Sequence, residues 1–341
     1  MPPTEPAAPI AGGDRVTGIV CVTPNVSVDR TFVVPRLVPS AVLRTDHTLT
    51  VAGGKGFNVA RSLHLLGHRP VTVGMLGGRT GDDVAALALE EGFEARWTRI
   101  RGETRTCVVI VSLETGTATV VNEAGPAVDA DEWSAFEHAV VQEAARARAV
   151  CLCGSLPPGI APERYGSLVA RLRTSGLAVF VDSHGSALAA AVAARPAAVK
   201  VNAEEAAALL GQRIVTLDDA LAAAASLRGR GIPQVVVTLG RVGAVLAHSG
   251  SVSVARPPEV RTRSAVGSGD SFLAAYVAAE VEGGDPVTAL RRGVAAGAAN
   301  AQSPWGGRFE HADYLAALEK VTVTQSGASS AGTPLDGTEG P

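Results

Sequence analysis

Short apolar segments alternate with helical ones along most of this chain, and that alternation constrains its fold more than any other feature. Segments such as 149–153 and 178–182 are apolar and too short to be helices, so they are predicted to be buried strands. Strands joined through helices pair in parallel, with helices covering both faces of the sheet. The sequence therefore predicts an α/β fold with a mostly parallel central sheet, in which ligands bind at the carboxyl ends of the strands.

Two segments interrupt this alternation of strands and helices. Residues 31–51 hold two short apolar runs, and residues 104–121 hold two more on either side of Glu114-Thr115-Gly116. Apolar runs joined by a short turn that contains glycine are typical of a β-hairpin. We interpret both segments as a small β-sheet inserted into the parallel domain, which serves as a lid or an oligomer contact. An ordinary antiparallel edge of the main sheet is the alternative.

Length and composition fit one domain with a tail at each end. Of the 341 residues 46% are hydrophobic, enough to fill the core of a single large α/β domain. Residues 1–16 and 323–341 are instead dominated by Pro, Ala, Gly, Ser and Thr, and they are predicted to be disordered. The folded domain is predicted to span residues 17–322.

Charge and hydropathy exclude several classes of protein. The 30 basic and 33 acidic residues leave a formal charge of −3, and no basic stripe suggests a nucleic-acid partner. No apolar run reaches the ~18 residues of a membrane helix, and the N-terminus lacks the pattern of a signal peptide. The four cysteines lie mostly in apolar runs without metal-ligand spacing, which indicates buried, reduced thiols. These features predict a cytoplasmic protein with neither nucleic acid nor membrane as a partner.

A glycine-rich loop, Gly53-Gly54-Lys55-Gly56, stands directly before a predicted helix that also carries Asn58. The glycines let backbone N–H groups approach a ligand, the helix N-terminus favours an anion, and Lys55 adds a cation. The loop lacks the G-x-G-x-x-G pattern of dinucleotide sites, which disfavours a nicotinamide-dependent dehydrogenase, and the chain has no G-x-x-x-x-G-K-[ST] loop. An anion-binding loop is predicted; a tight turn that simply requires glycines is the alternative.

A second glycine turn, Gly267-Ser268-Gly269-Asp270, opens a long apolar helix. The successive N–H groups of Gly267, Ser268 and Gly269 can form a concave anion site that faces a transferring phosphoryl group. Asp270 at the helix start can accept a proton from an attacking hydroxyl, and at its ordinary pKa of ~3.9 it is ionised at neutral pH. Because aspartate is a favoured N-cap residue, a purely structural role is the alternative.

A third loop follows a predicted short strand and contains Lys200, Asn202 and Glu205. Asn202 and Glu205 are three residues apart, so one helical turn places them on the same face. An amide and a carboxylate together suit a hydrated Mg²⁺ that is carried by nucleotide phosphates. A capping box, with Asn202 as the N-cap and Glu205 as the third helical residue, is the competing interpretation.

Further motifs accompany these loops in a fixed order between residues 18 and 309. They are Thr23-Pro24-Asn25 with Asp29, Gly53-Gly54-Lys55-Gly56-Phe57-Asn58, Gly102-Glu103-Thr104-Arg105-Thr106, Asn122-Glu123-Ala124-Gly125-Pro126, Gly154-Ser155-Leu156-Pro157-Pro158-Gly159, residues 200–205, Thr238-Leu239-Gly240 with Gly243, and residues 267–270. In these motifs the chain resembles the PfkB-type (ribokinase-like) carbohydrate kinases, nearest to the branch of 1-phosphofructokinase and tagatose-6-phosphate kinase.

The resemblance implies a three-layer α/β/α fold with a lid, and an ATP- and Mg²⁺-dependent sugar-phosphate kinase with Asp270 as its general base. The residues that it places on the sugar and its phosphate are Asp29, Arg44, Gly53, Gly54, Lys55, Asn58, Arg105 and Ser155. Those that it places around the nucleotide are Lys200, Asn202, Thr238, Gly240, Gly243, Gly267 and Gly269, with Asn202 and Glu205 ordering the water shell of Mg²⁺. It also implies a homodimer formed through the lid strands.

The resemblance favours fructose 1-phosphate as the substrate, with tagatose 6-phosphate and fructose 6-phosphate as alternatives. A kinase of unphosphorylated sugars or nucleosides would leave Lys55 and Arg105 without an anion. A non-catalytic sugar-phosphate sensor would not need Asp270, Asn202 and Glu205 together.

Three residues depart from the usual family motifs, and they bear on which sugar binds. Val26 and Val201 stand where many members have proline, and His184 stands where this branch commonly has serine or threonine. His184 either alters the rim of the pocket or is a surface histidine after a strand.

Overall fold

The computed structural model describes residues 18–325, so the predicted N-terminal tail lies outside the described residues. The strands are β1 (Ile19–Thr23), β2 (Ser27–Val34), β3 (Thr48–Gly53), β4 (Val71–Leu76), β5 (Glu94–Arg99), β6 (Arg105–Ser112), β7 (Thr117–Asn122), β8 (Ala149–Cys153), β9 (Ala178–Asp182), β10 (Ala198–Asn202), β11 (Gln234–Thr238), β12 (Ala244–His248), β13 (Ser251–Arg256) and β14 (Thr322–Gln325). The helices are α1 (Lys55–Leu65), α2 (Gly78–Glu90), α3 (Ala130–Ala144), α4 (Pro162–Thr174), α5 (Gly185–Ala193), α6 (Ala203–Leu210), α7 (Leu217–Gly229), α8 (Ser268–Val281), α9 (Pro286–Ala301) and α10 (His311–Lys320), with a single 3₁₀ turn at Gly240–Val242.

The central sheet has ten strands in the order β14-β13-β12-β11-β10-β9-β8-β1-β4-β5. Every neighbouring pair from β11 to β5 is parallel, whereas β12, β13 and β14 continue the sheet in antiparallel pairs. The prediction of a mostly parallel sheet is confirmed. The chain runs outward from β1 through β4 to β5 and then returns to β8 on the other side of β1. Ligand sites of open α/β sheets lie at such a reversal of strand order.

Helices cover both faces of this sheet. One face carries α1, α2 and α8–α10, which share a core with strand residues such as Cys21 and Cys151. The other face carries α3–α7, which pack against residues such as Val20 and Leu152. Because successive strand residues point to opposite faces, strands like β1 and β8 must be apolar throughout to be buried on both. The predicted three-layer α/β/α fold is confirmed.

A separate four-stranded sheet has the order β3-β2-β6-β7. β2 and β6 pair in parallel, and β3 and β7 flank them in antiparallel pairs. The two interrupting segments therefore build one small sheet, and the alternative of an edge of the main sheet is wrong. Val33, Val109 and Val111 of this sheet form a small core with Val266 and Trp305 of the main domain. The small sheet thus rests on the residue that directly precedes the turn 267–270.

The C-terminal boundary of the domain lies later than predicted. β14 pairs antiparallel with β13 and forms one edge of the central sheet, so the predicted disordered tail is wrong at residues 323–325. The threonines and valine of β14 are β-branched and favour an extended backbone, and a single edge strand needs few apolar residues. The rest of the predicted tail lies outside the described residues.

None of the helices within residues 18–325 is long and apolar enough to cross a membrane.

Helix α8 is buried along most of its length, since ten of its 14 residues are buried. The segment after α9 returns beneath the start of α8, where Gly306 and Gly307 lie between Gly267 and Asn58. A Cβ atom at Gly307 would lie 2.8 Å from the carbonyl oxygen of Asn58, and one at Gly267 would lie 2.4 Å from the backbone nitrogen of Gly307. Only glycine allows these backbones to approach so closely. This glycine wedge, residues 306–307, holds the first turn of α8 against α1.

The glycine wedge predicts that alanine destabilises the protein to different extents at two glycines that both have a positive φ. Gly307 has a φ of 69° and Gly283 a φ of 86°, a region that costs an L-residue ~1–2 kcal/mol. A Cβ atom at position 307 would also collide with backbone atoms of Asn58, whereas nothing lies within 4 Å of a Cβ atom at position 283. We expect Gly307→Ala to lower the free energy of unfolding by about 2–4 kcal/mol and Gly283→Ala by about 1–2 kcal/mol. Urea denaturation measures both, and equal losses would contradict the wedge.

Candidate active site

The reversal point between β1 and β8 brings together loops that are far apart in the sequence. Asn25, just after β1, donates one side-chain hydrogen bond to the hydroxyl of Ser155 (3.1 Å) and one to the carbonyl of Ala124 (2.9 Å). Arg105, at the start of β6, donates to the carbonyl of Asn25 from Nε and from Nη2 (3.2 and 2.9 Å). Two of the predicted phosphate ligands, Arg105 and Ser155, are therefore linked through Asn25.

An open cleft of about 520 Å³ adjoins these residues and is lined in part by Gly102, Arg105, Glu123 and Gly125. The Nη1 group of Arg105 donates to the carbonyl of Glu123 (3.0 Å), so carbonyl oxygens hold the guanidinium in place at the cleft. Arg44 lies exposed in the loop between β2 and β3, and its place near the substrate phosphate remains a prediction.

Asp182, which sequence reasoning did not single out, joins the two predicted lysines. It is the last residue of β9 and fully buried, and it accepts hydrogen bonds from Lys55 Nζ and from Lys200 Nζ, both at 2.6 Å. Burial alone would raise the pKa of Asp182, but Lys200 and Lys55 outweigh burial and hold that pKa at about 2. Burial likewise opposes the charge of Lys55, yet the carboxylates of Asp182 and Asp270 outweigh it and raise the Lys55 pKa. Asp182 and Lys55 are therefore both ionised at neutral pH.

Lys200 also lies against the glycine turn at the start of α8. A Cβ atom at Gly269 would lie 2.9 Å from Lys200 Nζ, so a side chain there would collide with the ammonium group. Lys55 and Lys200 were predicted to contact different ligands, the sugar phosphate and the nucleotide. The structure places both on one carboxylate and puts the Lys200 cation beside residues 267–270.

Three N–H groups of the turn that opens α8 were predicted to face an anion, and the structure differs from this prediction at one of them. Gly267 is the N-cap of α8, in the left-handed conformation with a φ of 79°. The N–H of Ser268 donates to the carbonyl of Ala265 (3.1 Å), so the prediction that it faces an anion is wrong; a tight turn uses that donor. For the N–H groups of Gly267 and Gly269, residues 18–325 offer no acceptor. Two of the three predicted donors therefore remain available to a ligand.

Asn300 of α9 fixes this turn from behind. Its fully buried amide donates to the carbonyl of Val266 (2.8 Å) and to the hydroxyl of Ser268 (3.2 Å), while its oxygen accepts from the hydroxyl of Ser271 and the backbone N–H of Arg308 (both 3.2 Å). An asparagine amide has two donors and two acceptor positions, and all four are used here. The orientation of Asn300, and with it the turn, is thereby set.

Asp270 lies in the first turn of α8 and is only 6% exposed. Because Gly267 is the N-cap and Asp270 is the third residue of the helix, the alternative that Asp270 is an N-cap is wrong. Its Oδ2 accepts a hydrogen bond from Asn58 Nδ2 (2.8 Å). Burial, followed by the negative charge of Asp182, raises the pKa of Asp270 to about 6. The expectation of an ordinary pKa is therefore wrong, because sequence does not reveal how deeply the carboxyl is buried.

The glycine loop before α1 packs around another buried carboxyl. Asp29 accepts hydrogen bonds from the hydroxyl of Ser27 (2.6 Å) and the backbone N–H of Gly54 (3.3 Å), and burial raises its pKa. A Cβ atom at Gly53 would lie 2.0 Å from the Asp29 carboxylate, so glycine is required there by packing. Three predicted sugar ligands, Asp29, Gly53 and Gly54, are thus neighbours.

Asn202 and Glu205 form the capping box of α6. Asn202 Oδ1 accepts from the N–H of Glu205 (2.8 Å), and Glu205 Oε2 accepts from the N–H of Asn202 (2.9 Å). The other carboxylate oxygen of Glu205 lies 3.8 Å from Lys55 Nζ, which turns it toward the cluster around Asp182. Within residues 18–325 no three acidic, His or Cys side chains form a metal cage. The predicted capping box is therefore present, and a role for the pair in the water shell of Mg²⁺ remains a prediction.

The predicted nucleotide residues after β11 lie beside this pair. Thr238 is in register with Asn202 on the neighbouring parallel strand, and its hydroxyl donates to the carbonyl of Val201 (3.3 Å). Gly240 begins a 3₁₀ turn, and Gly243 has a φ of 117°. The strand register thus gathers Asn202, Thr238 and the glycines at one edge of the sheet.

The remaining predicted residues have simple positions. His184 is exposed at the start of α5 and makes no capping hydrogen bond with its side chain, as expected of a surface histidine after a strand. All four cysteines are free and buried, which confirms their prediction as reduced core thiols.

Asp182 could have been found from the sequence, because it ends an apolar strand at the ligand-binding edge just as Asn202 does. Asn300 gave no such signal. It is a polar residue near the end of a helix, and only packing shows that it faces the interior.

Known proteins resemble this chain in sequence and structure. The pfkB family of carbohydrate kinases matches residues 18–310 of this chain. The 1-phosphofructokinase of Rhodobacter capsulatus is 35% identical over 90% of this chain and 98% of its own, and that of Xanthomonas campestris pv. campestris is 33% identical over 76% of this chain and 83% of its own. Phosphofructokinase-2 from Escherichia coli, solved in complex with substrates and products, has a TM-score of 0.80 at 29% identity and covers 88% of this chain and 98% of its own.

The two sheets, with helices on both faces of the larger one, define a ribokinase-like α/β kinase fold. With a family match over residues 18–310, the chain belongs to the pfkB family of carbohydrate kinases. The predicted enzyme class, an ATP-dependent sugar-phosphate kinase, is confirmed by this membership and by the relatives.

The buried ion pairs predict a large stability cost for Asp182→Asn. The variant leaves two ammonium groups, one 32% and one 6% exposed, without their shared counter-ion, and we expect the free energy of unfolding to fall by about 3 kcal/mol at neutral pH. Because the folded-state pKa of Asp182 lies below its ordinary value of 3.8, the difference should shrink as the pH falls from there toward about 2.

The matched control is Asp82→Asn. Its ion pair with Arg99 has side chains that are 68% and 59% exposed, so urea denaturation should detect almost no change. A loss at Asp182 no larger than that at Asp82 would show that the buried ion pairs contribute nothing.

Proposed function

We propose that this enzyme transfers the γ-phosphoryl group of ATP to fructose 1-phosphate and so produces fructose 1,6-bisphosphate and ADP. The observation that carries the proposal is the setting of Asp270, a buried carboxyl group that follows the available N–H groups of Gly267 and Gly269. Two relatives named 1-phosphofructokinase, one of them matched over 90% of this chain, support the choice of sugar.

In the proposed reaction Asp270 takes the proton of the sugar hydroxyl while the oxygen of that hydroxyl bonds to the γ-phosphorus. The bond from that phosphorus to the bridging oxygen breaks, and ADP leaves with the electron pair. Catalysis of phosphoryl transfer rests on positioning and on neutralising charge at the equatorial oxygens. The N–H groups of Gly267 and Gly269, with the Lys200 ammonium beside them, are proposed to neutralise it.

The sugar is proposed to bind along the loop before α1. Asp29 would accept hydrogen bonds from sugar hydroxyls, and Gly53 and Gly54 would let the substrate approach the backbone. Asn58, already bonded to Asp270, would hold the sugar beside the base.

The phosphate of the substrate is proposed to bind between Lys55, Arg105 and Ser155, with Arg44 reaching it from the small sheet. Arg105 and Ser155 are linked through Asn25, which supports a common ligand. The ammonium group of Lys55 is paired with Asp182, and the Lys55 side chain remains 32% exposed, so it can also face a bound anion. Closure of the small sheet would exclude water from this pocket.

The nucleotide is proposed to bind at the edge formed by Lys200, Asn202, Thr238, Gly240 and Gly243. Asn202 and Glu205 would order the waters of Mg²⁺ from their capping box. When bound, Mg²⁺ would neutralise phosphate charge.

Fructose 6-phosphate is the second candidate substrate, ahead of tagatose 6-phosphate. Phosphofructokinase-2 from Escherichia coli was solved in complex with fructose-6-phosphate, and that structure has a TM-score of 0.79 at 28% identity over 90% of this chain. These hexose phosphates present one phosphate and similar hydroxyls to the same pocket, so the proposed ligands accommodate each of them.

A homodimer through the small sheet is also proposed. Val120 and Val121 of its outer strand β7 are 44% and 60% exposed, and exposed apolar edge strands are usually covered by a partner. Phosphofructokinase-2 from Escherichia coli has been solved in a tetrameric inhibited form, which supports assembly in this family.

The substrate proposal predicts a ranking in an ADP-release assay. With ATP present, we expect kcat/KM to be highest for fructose 1-phosphate, at least roughly 10-fold above fructose 6-phosphate and tagatose 6-phosphate, which corresponds to about 1.4 kcal/mol. Unphosphorylated fructose should give no detectable turnover. A preference for fructose 6-phosphate would select the second candidate, and activity on unphosphorylated sugars alone would contradict the roles of Lys55 and Arg105.

The base proposal predicts a pH dependence and the loss of activity in Asp270→Asn. Since the base acts as a carboxylate and its pKa is about 6, kcat/KM should be constant above that pH and fall as the pH drops through it. Asp270→Asn should lower kcat by roughly 10²–10⁴-fold and leave the KM for ATP nearly unchanged.

Phosphate groups of the substrates titrate near ~6 as well, so the residual activity of Asp270→Asn serves as the control. The part of the acid limb that disappears in the variant belongs to Asp270. An unchanged kcat would remove Asp270 as the base.

A further inference from the structure

A buried arginine on α1 reaches the proposed base through a single side chain. Arg61 is only 4% exposed, and its Nη1 donates to Asn58 Oδ1 (2.8 Å). The same amide of Asn58 donates from Nδ2 to Asp270 Oδ2 (2.8 Å). Arg61, Asn58 and Asp270 therefore form one continuous chain of hydrogen bonds that links two helices.

The other donors of Arg61 hold its guanidinium in place. Nε and Nη2 form a bidentate ion pair with Glu91 (2.6 and 2.9 Å), and Nη2 also donates to the carbonyl of Ala52 (2.8 Å). The guanidinium carbon lies 5.8 Å from the centre of the Phe93 ring. A planar fork with this many partners has one orientation, whereas an ammonium group would have several. The donor that faces Asn58 is thus pre-organised.

This fixed donor decides which way the Asn58 amide points. An asparagine amide has an acceptor end and a donor end. If the Asn58 amide turned over, its NH₂ group would face an N–H of Arg61, and its oxygen would face the Asp270 carboxylate. Both contacts would be repulsive. Arg61 therefore selects the orientation in which Asn58 donates to Asp270.

We propose that Arg61 is a positioning residue for the general base: through Asn58 it keeps an N–H donor on Asp270 Oδ2 and leaves Oδ1 for the substrate hydroxyl. The inference rests on the proposed function, in which Asp270 is that base. A hydrogen bond to a carboxylate favours its charged form, so the same contact opposes the rise of the Asp270 pKa caused by burial. Losing the donor should therefore both disorder the base and raise its pKa further.

The chain offers a matched pair of variants, Arg61→Lys and Arg308→Lys. Both arginines bind Glu91, since Arg308 Nη2 donates to Glu91 Oε2 (2.8 Å), but only Arg61 bonds to Asn58. A lysine at position 61 would place Nζ near the arginine Cζ, close enough to Glu91 but ~1.3 Å short of the atom that reaches Asn58. Each variant thus keeps its charge and its carboxylate partner, and only one loses the link to the base.

For Arg61→Lys we expect kcat to fall roughly 10- to 100-fold, part of the ~10²–10⁴-fold that a positioned base contributes. The acid limb of its pH profile should move to higher pH, and the KM for ATP should not change. Arg308→Lys should keep the kcat and pH profile of the unmodified enzyme. A normal kcat and pH profile in Arg61→Lys, or an equal fall in both variants, would overturn the proposal.

A double-mutant cycle with Asn58→Ala tests whether Arg61 acts through Asn58. If it does, the losses of kcat in Arg61→Lys and Asn58→Ala should not add, and the double variant should resemble Asn58→Ala alone. Additive losses would mean that Arg61 acts by another route, which contradicts the proposal.

Two further variants keep every outcome decisive. Should Arg61→Lys not fold, Arg61→Met combined with Glu91→Gln removes the ion pair of Arg61 while an amide oxygen at position 91 can still accept the hydrogen bond from Arg308, and the same fall in kcat is expected. Asp270→Asn separates the two levels of inference. If Asp270→Asn loses activity while Arg61→Lys does not, only the role of Arg61 fails; if Asp270→Asn is fully active, the proposed function fails with it.

Discussion

The ion pairs that join Asp182 to Lys55 and Lys200 are the interaction on which the rest of the site depends. They join the end of β9 to the start of α1 and to β10, and so hold the two lysines at a fixed distance from each other. Their charges also act on Asp270: burial raises the pKa of Asp270 most, Asp182 raises it further, and both lysines oppose that rise. Buried charges of this kind are tolerated only when each finds its counterpart, so the chemistry of the site and its stability share the same atoms.

Around this cluster, uncharged groups give the site its geometry. The glycine wedge holds the start of α8 against α1, and Asn300 uses all four of its hydrogen-bonding positions to fix the turn 267–270. The small sheet rests on Val266, so that this sheet and the turn share one apolar contact. Arg61 and Asn58 then form a chain of hydrogen bonds that ends on Asp270. Asn300 and Arg61 are buried, where packing leaves few alternative arrangements.

Much of the fold and many site residues could be predicted from sequence. The strands β8 and β9 were predicted with their observed ends, and the loops at 53–58, 200–205 and 267–270 do meet at one edge of the sheet. Short-range physics was sufficient there, since apolar runs, glycines and caps act within a few residues. Asp182 was missed although it ends β9, and the β14 edge strand was missed because its partner lies about 70 residues earlier in the chain.

The sequence by itself determined the layer order of the fold, the glycine turns and the chemical types of residue that end the strands. Periodicity and backbone freedom are local properties, and they are encoded locally. Only the tertiary structure decided how those residues act together: which N–H of the turn is already used, that one carboxylate binds both lysines, and that the pKa of Asp270 rises to about 6. Hydrogen-bond partners, burial and charge proximity depend on residues brought together from distant parts of the chain, and no local pattern encodes them.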